Sequence, residues 1–202
     1  MLKQELFPQE SIEFDFNCGC YRFSNTTRNL EGVLTIRDQR FNNIPLTDKT
    51  FERLEFLGHL PKGGIQQLRR HKKSIQLIAI GSGLDETLDL APILKFPSII
   101  IDPLDPNVLK QGLLQLNKYN LSALDTLRVK TMLRRASVYN TSKIKHYKMT
   151  LAEAIEHHSD ELFGKADVVM DFFGAWFYDQ NNTRPNYELL LKPEGSKLIW
   201  GY

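Results

Sequence analysis

Short apolar runs alternate with helical segments through the last two thirds of this 202-residue chain. That alternation predicts an α/β protein built on a parallel sheet with right-handed crossovers. Three observations carry the prediction. Ile75-Gln76-Leu77-Ile78-Ala79-Ile80 is closed by Gly81-Ser82-Gly83, as expected of a buried parallel strand entering a tight turn. Ser98-Ile99-Ile100-Ile101 repeats the pattern and closes on Asp102-Pro103. Ala166-Asp167-Val168-Val169-Met170 repeats it again and closes on Asp171.

The first 45 residues read as short strands and turns. Ile12-Glu13-Phe14-Asp15-Phe16 alternates apolar and charged residues at period two, and Val33-Leu34-Thr35-Ile36 is a second candidate strand. Asn25-Thr26-Thr27 and Asn42-Asn43 supply turn chemistry. Thr47 is placed to cap a helix ending near Gly58, with Phe51, Leu54 and Leu57 at helical spacing. Pro61-Lys62-Gly63-Gly64 breaks the chain, and a basic helix follows over 65–73. Residues 1–73 are therefore expected to form a small N-terminal α+β appendage, and residues 74–202 the main domain. Within the latter, helices are expected over 85–94 and 107–118, with a weaker strand over 144–149. Thr150-Leu151-Ala152-Glu153 forms a capping box that opens a helix to about Leu162. A short helix over 186–191 is stopped by Lys192-Pro193-Glu194-Gly195, and Lys197-Leu198-Ile199-Trp200 is the last strand.

Composition narrows the function classes. The chain is 42% hydrophobic and 25% charged, which is globular and excludes disordered or collagen-like character. No run approaches the roughly 18 apolar residues of a membrane span. The N-terminus, MLKQELFPQESIEFDF, lacks the basic start and apolar stretch of a signal peptide, so a cytoplasmic location is expected. Cys18 and Cys20 are too few and too close for a disulfide scaffold and fit free thiols in a reducing compartment.

The net charge of +2 conceals an uneven distribution. Residues 61–148 carry 15 Lys+Arg against 6 Asp+Glu, between acidic flanks of −2 and −5. Arg128, Lys130, Arg134, Arg135, Lys143, Lys145 and Lys148 fall between Asp125 and Glu153 with no acid among them. Tyr139 and Tyr147 are interleaved, and Arg69, Arg70, Lys72 and Lys73 form a second cluster. Such stretches either attract RNA or another polyanion, or form a solvated face.

The chemistry-bearing residues gather at strand ends. Glycines at 81 and 83 let the backbone approach a ligand closely, and Asp102 follows Gly83 by 19 positions. An acid there can accept hydrogen bonds from both ribose hydroxyls of a nucleoside, or it can be a turn aspartate before Pro103. No G-K-[ST] follows the glycines, and Asp85 and Glu86 open the next helix, where carboxylates repel a pyrophosphate and suit a cationic or hydroxyl-rich ligand. Asp171 is the candidate catalytic base or orienting group; the alternative is a strand-end aspartate bonded to nearby backbone. Phe172, Phe173, Trp176, Phe177 and Tyr178 form either a stacking wall or core under a loop. Glu153 and His157 share a helix face without a third ligand, so no metal is expected, and no G-x-S-x-G elbow exists.

Four blocks, LIAIGSG (77–83), IIID (99–102), ADVVMD (166–171) and LLKPEGSKLI (190–199), resemble in order and spacing the class I S-adenosylmethionine-dependent methyltransferases. The last is similar to that family's LLKPGG entry into its fifth strand, with Glu194 in place of one glycine. The resemblance covers residues 74–202. It implies a Rossmann-like sheet with helices on both faces and S-adenosylmethionine as cofactor across the ends of the first two strands. Gly81, Ser82 and Gly83 would lie near its methionine moiety and Asp85 would reach its amino group. Asp102 would hold the ribose, Leu104 would lie near the adenine, and Met149 and Thr150 would cover the base. The family usually has an acid where this chain has Ala79, and it usually continues past strand five with a helix and a hairpin. Here the sequence stops at Tyr202: either it is truncated, or the hairpin is absent, or residues 1–60, a second copy or a partner subunit cover the strand-five edge. The resemblance thus implies a methyltransferase acting on RNA or a small molecule. Alternatives are a catalytically inactive nucleic-acid-binding or scaffolding subunit and, less well matched, a nicotinamide enzyme.

Overall fold

A computed structural model describes residues 11–16, 19–25, 30–36, 39–44, 70, 74–171, 174–175 and 180–199. The chain divides into two compact units, Met1–Asp48 with Asp105–Ser137, and Lys49–Leu104 with Val138–Tyr202.

The first unit contains an antiparallel meander of β1 (Ser11–Phe16), β2 (Gly19–Asn25), β3 (Leu30–Ile36) and β4 (Gln39–Ile44), each strand paired with the next in sequence. The register of β3 on β4 shifts between Gly32 and Leu34. Asn42-Asn43, expected as a turn, lies inside β4 at that shift: Leu34 pairs with Phe41 and Gly32 with Ile44, so the two asparagines stand opposite Val33 alone, as in a bulge.

The second unit holds a five-stranded parallel sheet. Its strands are β5 (Leu77–Ile80), β6 (Ser98–Ile101), β7 (Ile144–Tyr147), β8 (Ala166–Asp171) and β9 (Leu191–Ile199), in the spatial order β7-β6-β5-β8-β9. Every neighbouring pair is parallel. The order reverses between β5 and β8, which is the doubly wound, Rossmann-like arrangement expected from the sequence. β5 and β6 are buried along their whole length, which is why their sequences run apolar instead of alternating. Each such Leu or Ile contributes roughly 1.5–3 kcal/mol by leaving water.

Short helix α1 (Thr87–Leu90) follows β5 and gives way to one 3-10 turn at Ala91–Ile93. The helix expected over 85–94 is shortened because Pro92 has no N–H to continue it. α2 (Pro106–Gln115) opens with Asp105 accepting from the Asn107 N–H. α3 (Ala123–Val138) has no counterpart among the expected helices. α4 (Leu151–Leu162) starts with the expected capping box, in which the Thr150 hydroxyl accepts from the Glu153 N–H and the Glu153 carboxylate from the Thr150 N–H. α5 (Gln180–Leu190) begins six residues before the expected helix and carries Pro185 inside it.

Ile78, Ile80, Ile99, Ile101, Tyr147 and Val169 belong to one core cluster, together with Leu151, Ala154 and Leu162 of α4 and Tyr187 and Leu190 of α5. β9 starts at Leu191, earlier than expected. Ala166 pairs with Leu191 and Val168 with Ser196, so Lys192-Pro193-Glu194-Gly195 is extra length bulging out of the ladder. Within this sheet the described residues pair β9 only with β8. The helices expected over 47–58 and 65–73 lie outside the described residues, apart from helical Arg70. Among the described residues no helix is long and apolar enough to cross a membrane.

Candidate functional site

β5, β6 and β8 deliver the expected site residues to the carboxyl ends of adjacent strands, at the point where the strand order reverses. In open parallel sheets this is where ligands bind. Gly81 and Gly83 both have left-handed backbones, φ +60° and +52°. The Gly81 N–H donates to the Ile101 carbonyl (2.9 Å), which continues the β5–β6 ladder into the turn.

Asp102 organises that turn. Its Oδ2 accepts from the Gly83 N–H (2.7 Å) and its Oδ1 from the Leu104 N–H (2.8 Å). Each oxygen keeps one lone-pair direction for a further donor. Asp102 is only 6% exposed. Burial pushes its carboxyl above the usual range, against the lowering pull of those two N–H bonds and of His146. A further donor would relieve that cost.

Asp85 is buried and caps the short helix locally, accepting from the Thr87 N–H at 2.8 Å. Glu86 beside it is 3% exposed. Ser82 Oγ and Thr87 Oγ1 are buried without a hydrogen-bond partner among the described residues. The turn therefore presents carboxylates and an unpartnered hydroxyl, while the Gly83 N–H is already committed to Asp102. Those carboxylates accept from an ammonium or a ribose diol and would repel a pyrophosphate. Leu104 is buried at 2% exposure; Met149 is half-buried against the core, and Thr150 is exposed and engaged in its cap.

Asp171 is 1% exposed, with Oδ1 accepting from the Gly174 N–H (2.6 Å) and Oδ2 from the Tyr187 hydroxyl. Of the two expected parts for Asp171, this geometry matches the strand-end aspartate that fixes its own loop. Gly174 packs directly on the glycine turn: a Cβ built on Gly81 would stand 2.3 Å from Gly174 Cα, and one on Gly174 would stand 2.5 Å from the Ile80 carbonyl oxygen. The loops after β5 and β8 thus touch backbone to backbone. Phe172, Phe173, Trp176, Phe177 and Tyr178 lie outside the described residues.

Two residues of the site were not marked as such by the sequence. The Tyr139 hydroxyl donates to the Gly83 carbonyl (2.8 Å), and His146 Nε2 lies 2.9 Å from the Asp102 carbonyl. Because a carbonyl only accepts, Nε2 carries the proton. The two rings meet edge-on at 4.9 Å. Tyr139 and Tyr147, interleaved with the basic residues in sequence, are buried at 7% and 6% exposure. The one sequence signal for Tyr139 is a lone aromatic at the end of a basic segment, which does not distinguish core from surface.

The basic stretch is likewise dispersed. Arg135 is wholly buried, so it offers no guanidinium to a polyanion; its place on α3 faces inward with Val129, Met132 and Ala136. Arg128 pairs with Asp125 (3.2 Å), and Lys145 with Glu161, which also accepts from the Tyr147 hydroxyl (2.7 Å). Lys130, Arg134 and Lys148 are exposed and Lys143 is half-buried. Arg128, Lys130, Arg134 and Arg135 belong to the first unit, and Lys143, Lys145 and Lys148 to the second. Glu153 is spent in the α4 cap, and no group of three His, Cys, Asp or Glu gathers as a metal site among the described residues.

No protein-family model matches this sequence, and no curated protein does. Among solved structures, the chain is similar to a SAM-dependent methyltransferase from Thiobacillus denitrificans in complex with S-adenosyl-L-homocysteine. The likeness is distant. Sequence identity is 19% and the TM-score 0.40, over 76% of this chain and 49% of that one. The chain thus spans about half the length of that protein.

Proposed function

We propose that this protein binds S-adenosylmethionine at the ends of β5 and β6 and is a methyltransferase. The observation that carries the reading is Asp102: a buried carboxylate at the end of the second strand of the αβ unit, fixed by the Gly83 N–H, with spare acceptor capacity on both oxygens. Asp102 would accept from the ribose hydroxyls. Ser82 Oγ, with the carboxylates of Asp85 and Glu86, would receive the amino group, while Gly81 and Gly83 keep the turn free of side chains. Leu104 and Met149 would supply apolar cover for the adenine. Bound there, S-adenosylmethionine would supply an electrophilic methyl group on its sulfonium. The chain's contribution is then alignment and exclusion of water.

Calorimetric titration with S-adenosylmethionine and S-adenosylhomocysteine tests this directly. Binding is expected in the wild type and at least tenfold weakening in Asp102→Ala. No heat in the wild type, or unchanged affinity in the variant, overturns the assignment.

RNA is the acceptor we favour over a small molecule, supported by the excess of Lys and Arg over Asp and Glu in residues 61–148. Arg134→Ala should weaken RNA binding and flatten its salt dependence; salt-insensitive binding removes RNA. A second reading, ligand binding without transfer, is favoured by one observation: Asp171, the candidate base, is 1% exposed and holds the Gly174 N–H and the Tyr187 hydroxyl, which is a structural part. Radiolabelled methyl incorporation separates the two. A cytoplasmic setting accords with both readings.

A further inference from the structure

We propose that Tyr139 and His146 form a two-point clamp that positions the ligand-binding carboxylate of Asp102, with Tyr139 acting through the Gly83 backbone and His146 through the Asp102 backbone. The inference rests on the Asp102 ligand assignment above for its consequence in binding, though not for the clamp itself.

The geometry is specific. Gly83 is held on both sides of its Cα, the N–H of the 82–83 peptide by Asp102 Oδ2 at 2.7 Å and the carbonyl of the 83–84 peptide by the Tyr139 hydroxyl at 2.8 Å. The Asp102 backbone is also held on both sides. Its N–H donates to the Tyr147 carbonyl at 3.1 Å, and its carbonyl receives His146 Nε2 at 2.9 Å. Tyr139 and His146 brace each other through their ring edges. A glycine in the left-handed region has no side chain to fix the peptide orientation, so the hydroxyl 56 residues away supplies that constraint. Burial, reinforced by the carboxylates of Asp102 and Asp85, lifts the Tyr139 phenol well above its ordinary value, so it stays a donor throughout the physiological range. The Tyr139 hydroxyl thus ends on the carbonyl of a residue whose own N–H is bonded to the Asp102 carboxylate.

Tyr139→Phe keeps the ring and removes the donor. Amide hydrogen exchange on the ligand-free protein is expected to show Gly83 among the slowest amides of residues 81–86 in the wild type and at least tenfold faster in the variant. Affinity for S-adenosylhomocysteine should fall about tenfold. Against an Asp102→Asn background the same change should cost less than threefold, because both act through one bond. A structural role alone predicts independent losses that multiply. The clamp is overturned if Gly83 exchanges freely in the wild type, if its exchange is unchanged in Tyr139→Phe, or if the two losses multiply. Should Tyr139→Phe fail to fold, the wild-type exchange decides. Should the wild type bind no S-adenosylhomocysteine, the cofactor reading fails while the exchange still tests the clamp.

Discussion

Adding one methyl group at Gly81 should separate backbone strain from backbone contact, because the protein contains its own control. Gly81 and Gly164 have nearly the same conformation, φ +60° and +65°. Alanine in that region costs roughly 1–2 kcal/mol at either site. The surroundings differ. A Cβ on Gly164 meets nothing within 4 Å, whereas one on Gly81 would stand 2.3 Å from Gly174 Cα and 3.2 Å from Gly174 N. Both atoms are main chain and cannot rotate away. Overpacking of this kind adds roughly 1–3 kcal/mol. Gly81→Ala should therefore lose about 2–5 kcal/mol and Gly164→Ala about 1–2 kcal/mol. The small gain from a stiffer unfolded chain is common to both and cancels in the difference. At about 2–4 °C per kcal/mol for a chain of this size, the two variants should melt several degrees apart. Equilibrium urea unfolding followed by circular dichroism measures the difference through the midpoints, provided the slopes agree. Equal losses in the two variants would refute the close approach of the loops after β5 and β8.

Three further outcomes are expected. Tyr187→Phe removes the hydroxyl that meets a buried Asp171 oxygen and should cost about 1–3 kcal/mol in urea unfolding; a loss within experimental error would detach Asp171 from that partner. Thr150→Ala loses the reciprocal cap of α4 and should cost about 1 kcal/mol, visible as a melting shift of about 2–4 °C; no shift would show that the cap contributes nothing. Asp102 is raised in the folded protein, so its contribution to stability is fully present below its unfolded value of 3.8 and is lost as pH rises through the folded value. Ligand hydroxyls favour the ionised form, so ligand affinity should be flat above the raised value and weaken as pH falls through it. Calorimetry across that window should also detect proton release on binding, and a flat affinity would separate Asp102 from the ligand.

The parallel sheet was legible because β5, β6 and β8 are short apolar runs closed by a turn residue. α3 was not. Its buried face carries Arg135 among Val129, Met132 and Ala136, while Leu124 and Leu127 are exposed. The charge sits where an apolar residue is expected and the leucines sit outside, which blurs the helical period. α5 begins six residues early because Pro185, which reads as a breaker, lies inside it. For the site, Gly81, Gly83 and Asp102 were visible through spacing alone. Tyr139 and His146 were not, since their partners are backbone carbonyls, and a carbonyl leaves no mark in the sequence of the residue that bears it.

The contact between Gly81 and Gly174 also restricts how this chain can change. Two segments more than ninety residues apart share one van der Waals gap, and neither can acquire a Cβ while the other stays in place. Length changes between Asp171 and Gly174 would act on the glycine turn as well as on their own loop. Attempts to re-engineer this end of the sheet would do better to vary residues beyond Gly174, leaving the glycine pair and the aspartate that tethers it untouched.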